Sequence, residues 1–102
     1  MEDLRPQIFI IAVGNDALVR ALVIADNLRN TNQKLYVSVN TAGGSFKSQF
    51  KKADKSGARL ALIIGEDELR DKTISIKDLR CAQDQVNIAQ HELNDYITTY
   101  LR

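Results

Sequence analysis

The chain contains few of the residues on which several classes of protein depend. Among its 102 residues are one cysteine, one histidine and one proline, and there is no tryptophan. The lone thiol of Cys81 excludes an internal disulfide, which favours a reducing compartment such as the cytoplasm. His91 is a poor triad partner for the serines, and no cluster of His, Cys and carboxylate side chains has the spacing of metal ligands. We therefore expect neither a metal site nor a nucleophilic triad.

Long hydrophobic runs are also missing. The longest, residues 8–13, has the length of a strand, whereas a membrane helix needs about 20 apolar residues. The first residues, Met-Glu-Asp, do not begin a secretory signal. Because 44% of the residues are apolar, one core of ordinary size can form. We expect one domain at residues 7–102, with residues 1–6 as the end of an interdomain linker, and no membrane contact.

Apolar periodicity predicts an α/β fold. Apolar runs at 7–13, 35–39 and 59–64 predict three strands, and the first and third runs are typical of strands buried on both faces. A helix that starts at Asn15 or Asp16 follows the first run. Its predicted buried stripe consists of Leu18, Ala21, Leu22, Ala25 and Leu28. A second helix precedes the third run, so the β-α-β-α-β order predicts a parallel sheet.

The last third of the chain has a different pattern. Residues 73–77 and 85–88 alternate apolar and polar side chains, which predicts a hairpin at the sheet edge. Residues 89–101 form a predicted third helix with an apolar stripe of Leu93, Ile97 and Leu101. The expected fold is a three-layer α-β-α domain. Its mixed five-stranded sheet has three parallel strands plus an edge hairpin, and three helices flank it.

Residues 40–68 hold the most informative segment. Gly43 and Gly44 suit a tight turn, and Ser45 suits the N-cap of the following helix. Along that helix, spacing predicts a buried face of Phe46, Phe50 and Ala53 beside a stripe of Lys47, Lys51 and Lys55, and a stop at Gly57. Residues 45–59 contain five basic side chains against one acid, although the whole chain is only +1. A local basic stripe of this kind fits a phosphate backbone.

Familiar catalytic motifs are absent from the turns. GGSFKS is not a phosphate-binding GxxxxGK[ST] loop, and VGND after the first strand is not a dinucleotide-binding GxGxxG motif. We therefore expect the domain to catalyse nothing alone. Ligands of open α/β sheets bind at the carboxyl ends of parallel strands, where residues 14–15, 40–44 and 65–68 should meet.

The run GGSFKSQFKKADKSGARLALIIGEDEL, with KDLR at 77–80, resembles the C-terminal anticodon-binding domain of bacterial histidyl-tRNA synthetases. The resemblance implies the fold of that domain and binding of the anticodon loop of histidine tRNA, whose anticodon is GUG, with no DNA partner. The catalytic core of the family is missing, so ATP and Mg²⁺ are expected only in a parent enzyme. That parent would be a cytoplasmic homodimer whose catalytic domain contacts this one.

The predicted RNA contacts are Asn40, Thr41, Gly43, Gly44, Phe46, Lys47, Lys51, Glu68 and Lys77. Amide, hydroxyl and carboxylate groups suit unpaired bases, and the lysines suit phosphates. For Glu68 and Lys77 the resemblance adds an argument, because related threonyl and prolyl enzymes contact anticodon bases from the matching positions. Each residue also has a structural alternative: Asn40 in a turn, Glu68 as a surface acid, Lys77 guarding an edge strand.

A second hypothesis uses the same fold differently. The domain would brace a dimer or contact another domain, and RNA binding would have been lost. The lysine stripe would then be a solvated helix face, and the C-terminal helix a docking surface.

Overall fold

A mixed five-stranded sheet forms the middle layer of the fold. The structure, a computed structural model, describes residues 6–32, 35–81 and 84–100. The strands are β1 (Ile8–Ala12), β2 (Val37–Val39), β3 (Leu60–Ile64), β4 (Thr73–Asp78) and β5 (Val86–Ala89). The α-helices are α1 (Asn15–Thr31), α2 (Phe46–Ser56), α3 (Glu66–Asp71) and α4 (Leu93–Tyr100). A 3₁₀ turn, Gln90–Glu92, leads into α4.

The strand order is β2-β1-β3-β4-β5. β1 is parallel to both β2 and β3, whereas β3–β4 and β4–β5 are antiparallel. β1 and β3 are buried along their whole length, as their apolar runs predict. The expected three parallel strands plus an edge hairpin are therefore confirmed, while positions 82 and 83 of the link between β4 and β5 lie outside the described residues.

Helices cover both faces of the sheet. On one face, α1 and α4 enclose the larger core, built on alternate sheet residues such as Ile10, Leu62 and Ile76. On the other face, α2 covers a smaller core that contains Phe9, Ile11 and Ile63. The three-layer prediction is confirmed. Within the described part of the chain, no helix is long and apolar enough to cross a membrane.

α1 differs from the prediction in its start and its buried stripe. Gly14 is the N-cap of the helix, so neither Asn15 nor Asp16 has that role. Its φ of 101° is a conformation that glycine adopts at little cost. Its buried residues are Ala17, Ala21, Ile24, Ala25 and Leu28. Leu22 is 46% exposed, because it lies about 100° around the helix from Ala21. Near the end of α1, the Arg29 guanidinium donates to the Val37 carbonyl at 2.6 Å, on the outer side of β2.

The C-terminal elements also depart from the prediction. α3 is a fourth α-helix, where three helices in all were expected. Ala89 belongs to β5, because it pairs with Thr73, and α4 proper begins only at Leu93. Leu93 and Ile97 are buried as predicted, whereas position 101 and, apart from Pro6, the predicted linker at 1–6 lie outside the described residues.

Candidate functional site

The glycine turn before α2 is held from inside. Gly43 and Gly44 have φ values of 75° and 103°, as the sequence predicts for a tight turn. Asn40 is only 5% exposed, and its Nδ2 donates to the Gly43 carbonyl at 3.0 Å. Lys52 Nζ lies 3.5 Å from Asn40 Oδ1. Both contacts of the Asn40 side chain are therefore internal, and the residue shapes the turn.

Gln49 joins this turn to the sheet, and sequence reasoning missed it. It is fully buried, its Oε1 accepts from the Ala12 N–H at 3.0 Å, and its Nε2 donates to the carbonyls of Ala12 (2.8 Å) and Gly44 (2.9 Å). The last regular β2 contact is Asn40 N–H to the Ile10 carbonyl. Ala12 lies two residues after Ile10 on β1, so its N–H and C=O also point toward the β2 side of the sheet. β2 has already ended at that level, so that strand is not there to bond them. The Gln49 amide takes the place of the missing strand.

α2 presents its lysines to solvent. Ser45 caps the helix, because its Oγ accepts from the Ser48 N–H at 3.2 Å, and Gly57 ends it in the left-handed region with a φ of 79°. Both predictions are confirmed. Lys47 and Lys51 are exposed on this helix, as is Lys55, and none of the three forms an ion pair with a residue that the structure describes.

Phe46 lies at the edge of the α2 core. It is 40% exposed, so the prediction that it belongs to the buried face is wrong, whereas Ala53 is fully buried and Phe50 is half-buried. A Cβ on Gly65 would lie 2.8 Å from Phe46 Cζ and 3.2 Å from Glu68 Oε1. The tip of the ring therefore rests directly on the backbone where β3 ends, and the residue stays partly exposed to solvent.

Two shallow cavities meet at Phe46 and Glu68. One, of about 360 Å³, is lined by Val13, Gly14, Phe46, Gly65, Glu66, Asp67 and Glu68. The other, of about 270 Å³, is lined by Phe46, Phe50, Ile63, Asp67, Glu68 and Gln85. The structure thus brings an aromatic ring and a carboxylate together at the carboxyl edge of the parallel strands, where the sequence places the site.

Glu68 is anchored on both oxygens. Its Oε1 accepts from the Gly65 N–H at 2.8 Å, and its Oε2 accepts from the Ser75 hydroxyl at 3.1 Å. Ser75 in turn accepts from Asn87 Nδ2 at 3.0 Å, and the same Nδ2 lies 3.2 Å from Thr73 Oγ1. The carboxylate is half-buried and still has lone pairs to offer, because two oxygens can accept about four hydrogen bonds.

The remaining predicted residues lie around this centre. Lys77 is half-buried on β4 opposite Ala61, and strand alternation puts it on the same face as Ser75. Thr41 is exposed just after β2. Neither side chain is hydrogen-bonded to Glu68. Sequence reasoning missed three residues of the site: Gln49, Ser75 and Asn87. Of these, only Gln49 could have been found from the sequence, because it is a polar residue at a position of α2 that helical spacing predicts to be buried.

A second charged cluster lies at the opposite end of the sheet. Asp78 is 5% exposed and accepts hydrogen bonds from the Arg80 and Cys81 N–H groups and from the Tyr100 hydroxyl. Arg59 Nε lies 3.6 Å from it. Burial raises the pKa of the Asp78 carboxyl, but these donors and Arg59 outweigh burial and leave that pKa below its ordinary value. The cluster fixes α4 to the sheet through the hydrogen bond from Tyr100. It is not part of the candidate site, because Asp78 pairs with Leu60 at the start of β3, whereas the site lies where β3 ends.

Among the residues described, no three His, Cys, Asp or Glu side chains are grouped as metal ligands would be. The chemistry that the site offers is therefore that of hydrogen-bond acceptors and a partly exposed aromatic ring, with exposed lysines on α2. These groups suit binding of a flat, polar, anionic ligand.

The chain is similar to known proteins over nearly its whole length. The family described as the anticodon binding domain matches residues 7–100. A histidine–tRNA ligase of Legionella pneumophila is 54% identical over 97 residues, which make up 95% of this chain and 23% of that protein. One of Hydrogenovibrio crunogenus is 40% identical over 100 residues, covering 98% of this chain and 24% of that protein.

Solved structures of two synthetases have the same fold as this chain. Histidyl-tRNA synthetase from Nostoc superposes with a TM-score of 0.84 at 30% identity, over 96% of this chain and 23% of that one. The RNA binding domain of threonyl-tRNA synthetase from Cryptosporidium parvum has a TM-score of 0.83 at 16% identity, over 92% of this chain and 23% of that one, a likeness of fold alone. The chain thus spans only 23% of the length of the Legionella pneumophila ligase that it matches. It belongs to the anticodon-binding domain family, in the form found in histidyl-tRNA synthetases.

Proposed function

We propose that the domain recognises the anticodon stem-loop of histidine tRNA as one part of a longer histidine–tRNA ligase. The observation that carries the proposal is the pairing of Phe46 with Glu68: a partly exposed aromatic ring beside an anchored carboxylate. Unpaired bases are recognised by stacking on aromatic rings together with hydrogen bonds to their polar edges. A carboxylate accepts well from a guanine edge, and the GUG anticodon contains two guanines.

The lysines supply the second half of binding. Lys47 and Lys51 project from α2, the helix that follows the glycine turn, and can neutralise phosphates on either side of a bound base. Lys77 lies on the same sheet face as the anchor of Glu68 and can reach a base or a phosphate. In this proposal Asn40, Gly43 and Gly44 shape the turn, while Thr41 lies exposed beside it.

The rest of the enzyme belongs to the proposal too. The relatives are about four times as long as this chain, so we assign aminoacylation, with its ATP and Mg²⁺, to a catalytic part outside these residues. That part would be the protein partner of this domain, within a homodimer in the cytoplasm. By itself the domain would bind and not catalyse, and we assign it no membrane or DNA partner.

Binding to synthetic hairpins tests the proposal. The 102-residue chain is titrated with a histidine anticodon hairpin, and with the same hairpin carrying a changed anticodon, at several salt concentrations. Preference for GUG supports the proposal. Equal binding to both hairpins, with a steep salt dependence, would refute anticodon reading. Absence of binding would favour the interaction-domain hypothesis.

Two matched substitutions separate phosphate contacts from overall charge. Lys51→Ala should weaken binding of every hairpin alike and make the slope of log K against log salt shallower by about 0.7–0.9, the contribution of a single phosphate neutralised by one lysine. Arg20→Ala removes an equal charge from α1, on the opposite face of the sheet, and should leave the slope unchanged. Equal effects of the two variants would contradict binding of phosphates by the lysine helix.

A further inference from the structure

The hydrogen bonds around Glu68 run in one direction only. An ionised carboxylate has no proton to donate, so the Ser75 hydroxyl must donate to Glu68 Oε2. With its proton used, Ser75 Oγ can only accept from Asn87, which must therefore present its NH₂ group to it. The charge on Glu68 thus decides which way the Asn87 amide points, two strands away.

This direction leaves one acceptor facing outward. Both polar contacts of Asn87 use Nδ2, toward Thr73 and Ser75, and Oδ1 has no hydrogen-bond partner within the described part of the chain. Asn87 is exposed, whereas Ser75 beneath it is 3% exposed. Reversing the amide would place Oδ1 against Ser75 Oγ and break the chain of bonds. Asn87 is therefore a fixed acceptor and not a freely turning surface amide.

The two acceptors are close enough to serve one base. Glu68 Oε2 and Asn87 Nδ2 both bind the Ser75 oxygen, so those two atoms lie within about 6 Å of each other, and Asn87 Oδ1, on the same amide group, lies within about 8 Å of Glu68 Oε2. A guanine edge carries three donor hydrogens, one on the ring nitrogen N1 and two on the exocyclic amine. A carboxylate can accept the N1 hydrogen and the nearer amine hydrogen, which leaves the second amine hydrogen without a partner.

Resting on the proposed function, we infer that Asn87 is a further specificity-determining residue, and that its Oδ1 accepts the second amine hydrogen of the guanine that Glu68 binds. Ser75 is a positioning residue, because it orients both acceptors and touches no base. The site thereby prefers guanine over purines that lack the exocyclic amine. An unpaired acceptor facing such a purine would lose its hydration without gaining a bond.

Inosine tests this inference, because it differs from guanosine only by the missing amine. Dissociation constants are measured for the histidine anticodon hairpin and for two hairpins in which one guanosine of GUG is inosine. The parent chain should bind one inosine hairpin roughly 30-fold more weakly, because the missing amine removes one hydrogen bond to the Glu68 carboxylate and one neutral hydrogen bond to Asn87. Asn87→Ala should reduce that penalty at the same position, and Glu68→Ala should reduce it there too.

Two further variants separate specificity from folding. Ser75→Ala keeps both acceptors but frees the amide to turn, so it should shrink the inosine penalty while thermal unfolding shows an intact fold. Asn94→Ala removes an exposed amide from α4 and should leave the penalty unchanged.

The outcomes are distinguishable. A penalty that persists in full in Asn87→Ala, in a chain that still prefers GUG, overturns the inference and leaves the proposed function standing. A parent chain that does not distinguish GUG from a changed anticodon overturns both.

Discussion

Replacing Gln49 by methionine tests how the glycine turn is fixed to the sheet. Methionine keeps the length and unbranched shape of the side chain but removes all three hydrogen bonds. The N–H and C=O of Ala12, a residue only 4% exposed, would then be buried without partners. Each such group costs about 1–3 kcal/mol, so we expect a loss of about 2–6 kcal/mol for the two. The Gly44 carbonyl adds little, because that residue is exposed and water can replace the bond.

Urea unfolding measures this loss through the midpoint and slope of the transition. Gln7→Met is the matched control, because Gln7 Oε1 also accepts from a backbone N–H, that of Tyr36 at 2.7 Å, but in an exposed position. There water takes over, and we expect a loss below about 1 kcal/mol. If the two variants were equally destabilised, Gln49 would not be completing the β1 ladder and the reasoning would be wrong.

Three further predictions concern separate parts of the fold. Gly65→Ala should lower hairpin affinity, because the new Cβ would displace Phe46 and Glu68. In a double-mutant cycle of affinities, the loss for Gly65→Ala combined with Phe46→Ala should be smaller than the sum of the two separate losses. Ser45→Ala should cost about 1 kcal/mol in urea unfolding because the α2 cap is removed, and an unchanged midpoint would contradict that role. Asp78, with its lowered pKa, stabilises the fold above its unfolded pKa of about 3.9, and this contribution is lost as pH falls through the lower folded value. Tyr100→Phe removes one donor, so acid unfolding should begin at higher pH; an unmoved acid transition would refute this.

Rules that act over a few residues made much of the fold predictable. β1 and β3 are continuous apolar runs because both faces of each are covered, and Ser45 and Gly57 obey the chemistry of helix ends. α3 escaped prediction for the converse reason. It has six residues, four of them acidic, and only Leu69 packs against the core. Such a helix is held by its surroundings and has no apolar stripe of its own.

The site was predictable in place but not in detail. The position of the site at the carboxyl edge of the sheet could be predicted, because the glycine turn and Glu68 each come after a strand that the sequence shows clearly. The hydrogen bond that Asn87 donates to Ser75 depends on the register of β4 with β5. That register sets the two residues opposite each other, although they are far apart in the chain. Phe46 shows a further limit: helical spacing put it on the buried side, but it is the first residue of α2 and remains 40% exposed where its ring meets Gly65.

The contact between Arg29 and β2 bears on how this chain behaves among its own copies. A free strand edge invites another strand to pair with it, which is a common beginning of aggregation. β2 has only three residues, and the guanidinium of Arg29 already occupies the outward carbonyl of Val37. An incoming strand would find few free groups there and would have to displace a charged side chain. The parallel edge of the sheet is thus protected against strand addition by one arginine from the neighbouring helix.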